Sequence, residues 1–256
     1  MTYESPAGSA LATSLLSPLR VAELHAAEEL IEFLELGFTP LDMATVLEFV
    51  AKRSPDRAFN YIVTPNVDHV VRLQRTRSDL WPAYRGAWMT LCDSRILGML
   101  ARAVGSTLPI IPGSDLTVEL FERGMEREDA VAILGGSAKT VSKIADRYQL
   151  RNVRHYNPPM GFIRDQREVA KAVRFLVEAR ARYAFLAVGS PQQEIVAHRV
   201  AQTGEARGIG FCVGASLEFL SGEQTRAPAL MQYVALEWMH RLASNPLRLW
   251  RRYLVD

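Results

Sequence analysis

Asp93 is the side chain whose setting in the sequence best suits it to chemistry. It directly follows the apolar run Ala87-Trp88-Met89-Thr90-Leu91-Cys92, so a strand would deliver it to a sheet edge, partly out of water. A carboxylate held there can take a proton from a substrate hydroxyl as a general base. Its competing structural role is to cap a helix starting near Ile96. Four other apolar runs end in small, hydroxyl, amide or acidic residues. They run into Thr64-Pro65-Asn66-Val67-Asp68, Gly135-Gly136-Ser137, Gly189-Ser190-Pro191-Gln192-Gln193-Glu194 and Gly214-Ala215-Ser216. Any one of these is an ordinary turn or cap. As a set they predict several helix N-termini converging on one edge, where free backbone N–H groups and positive dipole ends bind phosphate. The chemistry implied is that of a nucleotide or sugar-phosphate pocket.

Other chemistries lack their signatures. Gly135-Gly136-Ser137-Ala138-Lys139-Thr140 is close to a phosphate loop, but its first glycine is missing and Lys139 follows alanine, so it is not a Walker A motif. No G-x-G-x-x-G fingerprint supports a dinucleotide oxidoreductase. The five histidines, His25, His69, His155, His198 and His240, have no zinc-site spacing. No D-x-D pair is present to seat a metal-bound diphosphate.

The elements that would position these residues alternate in type. Short apolar runs at residues 59–64, 87–92, 130–134, 152–156, 183–188 and 208–213 read as strands, bounded by turn formers. Helical patterns over 138–148, 166–181 and 192–202 separate the later ones. This predicts an α/β fold: a Rossmann-like, mostly parallel sheet with helices on both faces, plus a C-terminal helical appendage. Ligands of such sheets bind at the carboxyl ends of the strands. The expected organisation is a flexible tail over 1–28, an α/β catalytic domain over 29–225, and a basic amphipathic appendage over 226–256. At 256 residues with 48% hydrophobic content, one large domain can bury a full core. Cys92 and Cys212 both lie in apolar runs, so a reducing compartment is expected rather than a disulfide scaffold. With no apolar run of eighteen residues and no basic start, neither a membrane span nor a signal peptide is expected.

The series of motifs resembles the WecG/TagA/CpsF glycosyltransferases over nearly the whole ordered chain. Thr64-Pro65-Asn66 is similar to that family's T-x-N, and Asp93 stands where the family has an aspartate after a strand. Gly113-Ser114-Asp115-Leu116 is similar to G-S-D-L, Leu134-Gly135-Gly136 to L-G-G, and Gly189-Ser190-Pro191-Gln192-Gln193-Glu194 to G-x-P-x-Q-E. The glycine-rich 213–222 segment, Arg226-Ala227-Pro228 and Leu236-Glu237-Trp238 follow in order. The resemblance implies an inverting, metal-independent glycosyltransferase without a cofactor, moving sugar from a UDP-sugar to a polyprenyl-diphosphate-linked sugar in surface-polysaccharide (exopolysaccharide or teichoic-acid-like) synthesis. It implies that Asp93 is the base, that Thr64 and Asn66 line the pocket and that Gln193 touches donor or acceptor. Gly135, Gly136 and Glu194, in the same strand-end loops, complete the expected substrate-binding set.

Three departures stand out. The family's D-G-x-G is Asp93-Ser94-Arg95-Ile96 here, its arginine before G-S-D-L is absent from Leu108-Pro109-Ile110-Ile111-Pro112, and its aspartate in the F-x-x-G segment is Glu218. Arg95 and Arg102 are the candidates to replace the arginine.

Four arginines fall in the last sixteen residues, interleaved with Trp250, Tyr253 and leucines. Arginine forks bind phosphate oxygens two at a time, so Arg241, Arg248 and Arg251 suit a diphosphate. Aromatic and basic residues together suit a membrane interface. The expected location is cytoplasmic, peripheral on the inner face of the cytoplasmic membrane. No nucleic-acid reading motif accompanies the patch, and a homo-oligomer is compatible with the sequence. A nucleotide-sugar enzyme with a soluble acceptor and a non-catalytic peripheral membrane adaptor are the alternative readings.

Overall fold

The computed structural model describes residues 30–222. The N-terminal tail and the C-terminal appendage, with Arg241, Arg248 and Arg251, lie outside the described residues.

An antiparallel hairpin, β1 (Ile31–Phe33) and β2 (Leu36–Phe38), precedes helix α1 (Met43–Lys52). The main sheet follows, built from β3 (Asn60–Val63), β4 (Met89–Thr90), β5 (Ala130–Leu134), β6 (Asn152–Tyr156), β7 (Tyr183–Leu186) and β8 (Ile209–Cys212). All pairings in it are parallel, in the order β4-β3-β8-β7-β5-β6. Helices α2 (Val67–Arg75), α3 (Trp81–Arg85), α4 (Arg95–Ala103), α5 (Gly113–Glu119), α6 (Ala138–Tyr148), α7 (Gln166–Ala179), α8 (Gln192–Thr203) and α9 (Ser216–Leu220) cover it. The chain moves outward from β3 to β4, crosses to β5, moves outward again to β6, and then fills the centre with β7 and β8. The parallel α/β architecture expected from the alternation is the one observed.

The sheet is buried on both sides because its strands carry apolar residues at both parities. Tyr61, Val63, Ala132, Leu134, Ala184, Leu186 and Cys212 face one layer, with Leu97 and Ala101 of α4, Val169, Ala172 and Leu176 of α7, and Val196, Ala197 and Val200 of α8. Ile62, Met89, Val131, Ile133, Tyr183, Phe185, Ile209 and Phe211 face the other, with Val46 and Val50 of α1, Leu116 of α5, Ile144 of α6 and Leu217 of α9. Phe185 and Phe211 stack across β7 and β8 with centroids 5.2 Å apart. Burying each such ring stabilises the fold by about 1.5–3 kcal/mol. The edge strand β6 is the exception to the apolar pattern. Asn152 and Arg154 are exposed there, as a strand with one paired side allows.

The other edge, β4, is only two residues long. Trp88 and Leu91 donate to the carbonyls of Tyr61 and Val63, so Thr90 turns its backbone outward. There the Thr39 N–H donates to the Thr90 carbonyl at 2.8 Å, and the Thr90 N–H donates to Thr39 Oγ1 at 3.1 Å. Further along, the Ile111 N–H donates to the Cys92 carbonyl at 2.8 Å. Residues 110–113 therefore run as a strap beside the end of β4, and this strap leads into α5.

Candidate functional site

The carboxyl ends of the strands bring most of the expected residues together. Thr64, at the end of β3, is buried and donates its hydroxyl to the Cys212 carbonyl at the end of β8, at 3.2 Å. Beside it the Asp93 N–H donates to the Pro65 carbonyl at 3.1 Å. The Asp93 carboxylate is half-buried, and its Oδ1 accepts the Gly113 N–H at 2.6 Å. Gly113 in turn packs on Thr64: a Cβ there would lie 2.8 Å from Thr64 Oγ1. Thr64, Asp93 and Gly113 thus form one cluster, assembled from the ends of two strands and the start of α5.

Asp93 does not cap the helix that follows it. Ser94 does, accepting the Leu97 N–H at 3.3 Å, and α4 begins at Arg95. The division of labour leaves the aspartate carboxylate turned toward Gly113. Asn66 combines positions: its Oδ1 accepts the His69 N–H at 3.2 Å as the cap of α2, which leaves Nδ2 as the group it can offer a ligand. Ser137 caps α6 in the same manner, accepting the Thr140 N–H at 3.0 Å.

Gly135 and Gly136 lie at the end of β5, two strands from β8. Gly135 has φ +96°, and a Cβ on it would stand 2.8 Å from the Ala187 carbonyl carbon and oxygen at the end of β7. Only glycine fits that crossing. Gly136 faces open space. Nε2 of His155 lies 3.1 Å from the Gly135 carbonyl and 3.2 Å from that of Gly136.

Gln193 and Glu194 stand in the first turn of α8. Both are buried, at 3% and 1% exposure. Gln193 Oε1 accepts the Gly214 N–H at 2.8 Å, and its Nε2 donates to Glu194 Oε1 at 2.8 Å. The pair clamps the loop after β8 to the start of α8, so the side-chain oxygen of Gln193 is committed to the protein. Glu194 Oε2 is buried with no hydrogen-bond partner, and burial pushes this carboxyl above the usual carboxylate range.

A second group beneath this loop has no sequence signal. Arg72 pairs with Asp68 and donates to Ser190 Oγ at 3.1 Å, across 118 positions. The Tyr84 hydroxyl lies 3.2 Å from His69 Nδ1. Burial, then the charge of Glu194, pushes the Tyr84 phenol far up. Motif spacing cannot link residues so far apart. Among the described residues, no three His, Cys, Asp or Glu side chains gather as a metal site.

The edge therefore offers a half-buried carboxylate, a hydroxyl, an amide and several helix starts, which together can handle a hydroxyl nucleophile and a phosphate-bearing partner. A family model described as the glycosyl transferase WecG/TagA/CpsF family matches residues 31–256, and the chain belongs to that family. One relative, from Bacillus spizizenii, is 30% identical over 211 residues, covering 80% of this chain and 74% of its own. A second, from Bacillus subtilis, is 24% identical over 218 residues, covering 83% and 82%. Both are named N-acetylglucosaminyldiphosphoundecaprenol N-acetyl-beta-D-mannosaminyltransferase. Among the described residues, no helix is long and apolar enough to cross a membrane.

Proposed function

We propose that this glycosyltransferase moves an N-acetylhexosamine-type sugar from a UDP-sugar to a polyprenyl-diphosphate-linked sugar, as a step in building a surface polysaccharide. The names of both relatives support the acceptor class and the type of sugar. The observation that carries the chemistry is the Asp93 carboxylate, fixed by the Gly113 N–H at 2.6 Å beside Thr64.

In this reading the acceptor hydroxyl gives its proton to Asp93 as its oxygen attacks the anomeric carbon. The bond from that carbon to the UDP oxygen breaks on the opposite face, so configuration inverts and UDP leaves with the electron pair. One base suffices, since no covalent sugar–enzyme bond forms. Thr64 and Asn66 Nδ2 line the acceptor side. Gly136 and the N–H groups at the start of α6 meet donor phosphate. Gln193 and Glu194 act from below, by holding Gly214. Charge on the diphosphates is met without a metal ion, by helix starts and by Arg241, Arg248 and Arg251 of the 226–256 segment. Work on a lipid acceptor places the protein peripherally on the inner face of the cytoplasmic membrane.

The test is UDP release from a panel of UDP-sugars in the presence of a short-chain polyprenyl-diphosphate sugar. Acceptor-dependent release with one or two N-acetylhexosamine donors is expected. Equal release with a free soluble sugar as acceptor would overturn the lipid-linked assignment.

A further inference from the structure

We infer that the outward face of α4 is a membrane-contact surface, seating the protein on an anionic bilayer directly beside Asp93. The helix carries apolar side chains on both its inner and its outer side. Its inner side, Leu97 and Ala101, is buried in the core. Gly98 approaches so closely that a Cβ there would lie 2.4 Å from Ile110 Cδ1. This close fit fixes which side of the helix turns out. The outer side carries Ile96, Met99, Leu100 and Val104, at 38%, 69%, 48% and 70% exposure. Steps of three, one and four residues put these on one stripe.

Such a contiguous exposed patch marks a contact site. Among the described residues, the remaining exposed large apolar side chains are scattered: Leu34 in the β1–β2 turn, Val71 on α2 and Met160 in the loop after β6. Charge decides the partner. Arg95 and Arg102 are exposed on the same helix, and no acidic residue occurs from position 94 to 114. An apolar stripe flanked by arginines, free of carboxylates, complements an anionic lipid interface. The apolar side chains enter the boundary of headgroups and acyl chains while the arginines reach back to lipid phosphates.

Position agrees with charge. The helix starts two residues after Asp93 and is nine residues long, so resting it on the bilayer brings the carboxylate to headgroup level. This inference rests on the lipid-linked reading of the reaction, because only such an acceptor presents its hydroxyl at that depth. A second copy of the chain, or residues 223–256, are the other coverings that the test must separate.

The test uses the full chain with Met99→Cys carrying an environment-sensitive fluorophore; Cys92 and Cys212 are buried and so spared by the label. With vesicles of phosphatidylglycerol and phosphatidylethanolamine the emission shifts to the blue and rises several-fold. With phosphatidylcholine vesicles it changes little. The Met99→Ser/Val104→Ser double variant binds the anionic vesicles about tenfold more weakly or worse. Its transfer to a soluble short-chain acceptor without vesicles equals that of the parent.

A label that stays in water while the protein sediments with vesicles would overturn the inference. So would wild-type vesicle affinity in the double variant, or a label already shielded without vesicles, whether in a dimer that the double variant does not form or in a monomer whose residues 223–256 cover it. Absence of any transfer by the parent protein would instead count against the proposed reaction, since vesicle binding is read without it.

Discussion

Oδ1 of Asp93 accepts the Gly113 N–H at 2.6 Å, joining the end of β4 to the start of α5 across twenty residues of sequence. The bond fixes where the carboxylate sits. Asparagine keeps an acceptor at Oδ1 but cannot take up a proton. Asp93→Asn should therefore lower turnover in the UDP-release assay by roughly a hundredfold or more. Thermal unfolding should shift little. A variant with more than a tenth of parental turnover would show that the base lies elsewhere.

Gly113 is confined by a side chain rather than by its own backbone angles. A methyl group there meets Thr64 Oγ1 at 2.8 Å, and Thr64 is tied to the Cys212 carbonyl. Gly113→Ala should cost about 1–3 kcal/mol of stability through overpacking. Thr64→Ala removes the atom that is struck. The double variant should be more stable than the sum of the single effects predicts, which denaturant unfolding of the four proteins would measure.

Gly135 and Gly136 are neighbours with opposite surroundings. Both have positive φ, but only Gly135 presses on backbone, at Ala187. Alanine at Gly136 should cost about 1 kcal/mol, the strain of a left-handed residue. Alanine at Gly135 adds a collision that no side-chain rotation relieves, and should cost several-fold more. Comparable melting temperatures for the two variants would contradict the close contact.

Glu194 makes stability depend on pH. Burial raises its carboxyl above the ordinary 4.5, so the folded state holds a proton that the unfolded chain releases. Stability from this group is fully present below about 4.5 and is lost as pH rises toward the folded value, at up to about 1.4 kcal/mol per pH unit. Glu194→Gln has nothing to titrate and keeps an acceptor for Gln193. Relative to the parent it should gain stability as pH rises above about 4.5. Parallel stability curves over that range would mean that the carboxyl titrates normally.

Residues 130–134, 152–156 and 138–148 form the elements that the sequence pattern predicts, with the same bounds. For 130–134, an apolar run ending in Gly135-Gly136-Ser137 leaves few other solutions. The hairpin at 31–38 escaped because its turn residues, Leu34 and Glu35, take positive φ without the usual Gly or Asn signal. Asp93 was legible as the strand-end carboxylate. The transfer of the capping role to Ser94 was not, since both residue types cap well. The motif shows Gln193 and Glu194 only as polar residues at a strand end, whereas in the fold they are buried beneath the loop. That difference depends on Gly214, twenty-one residues away, arriving overhead.

The sealing of β4 bears on how copies of this chain can associate. An edge strand with idle N–H and C=O groups is a template on which another molecule can add a strand. Here Thr39 occupies both outward groups of Thr90, and Ile111 occupies the carbonyl of Cys92. The rim nearest Asp93 is closed to sheet extension by Thr39 and Ile111 of the chain itself. Any oligomer that keeps this fold must be built through side-chain surfaces there, and strand exchange does not compete for the space beside Asp93.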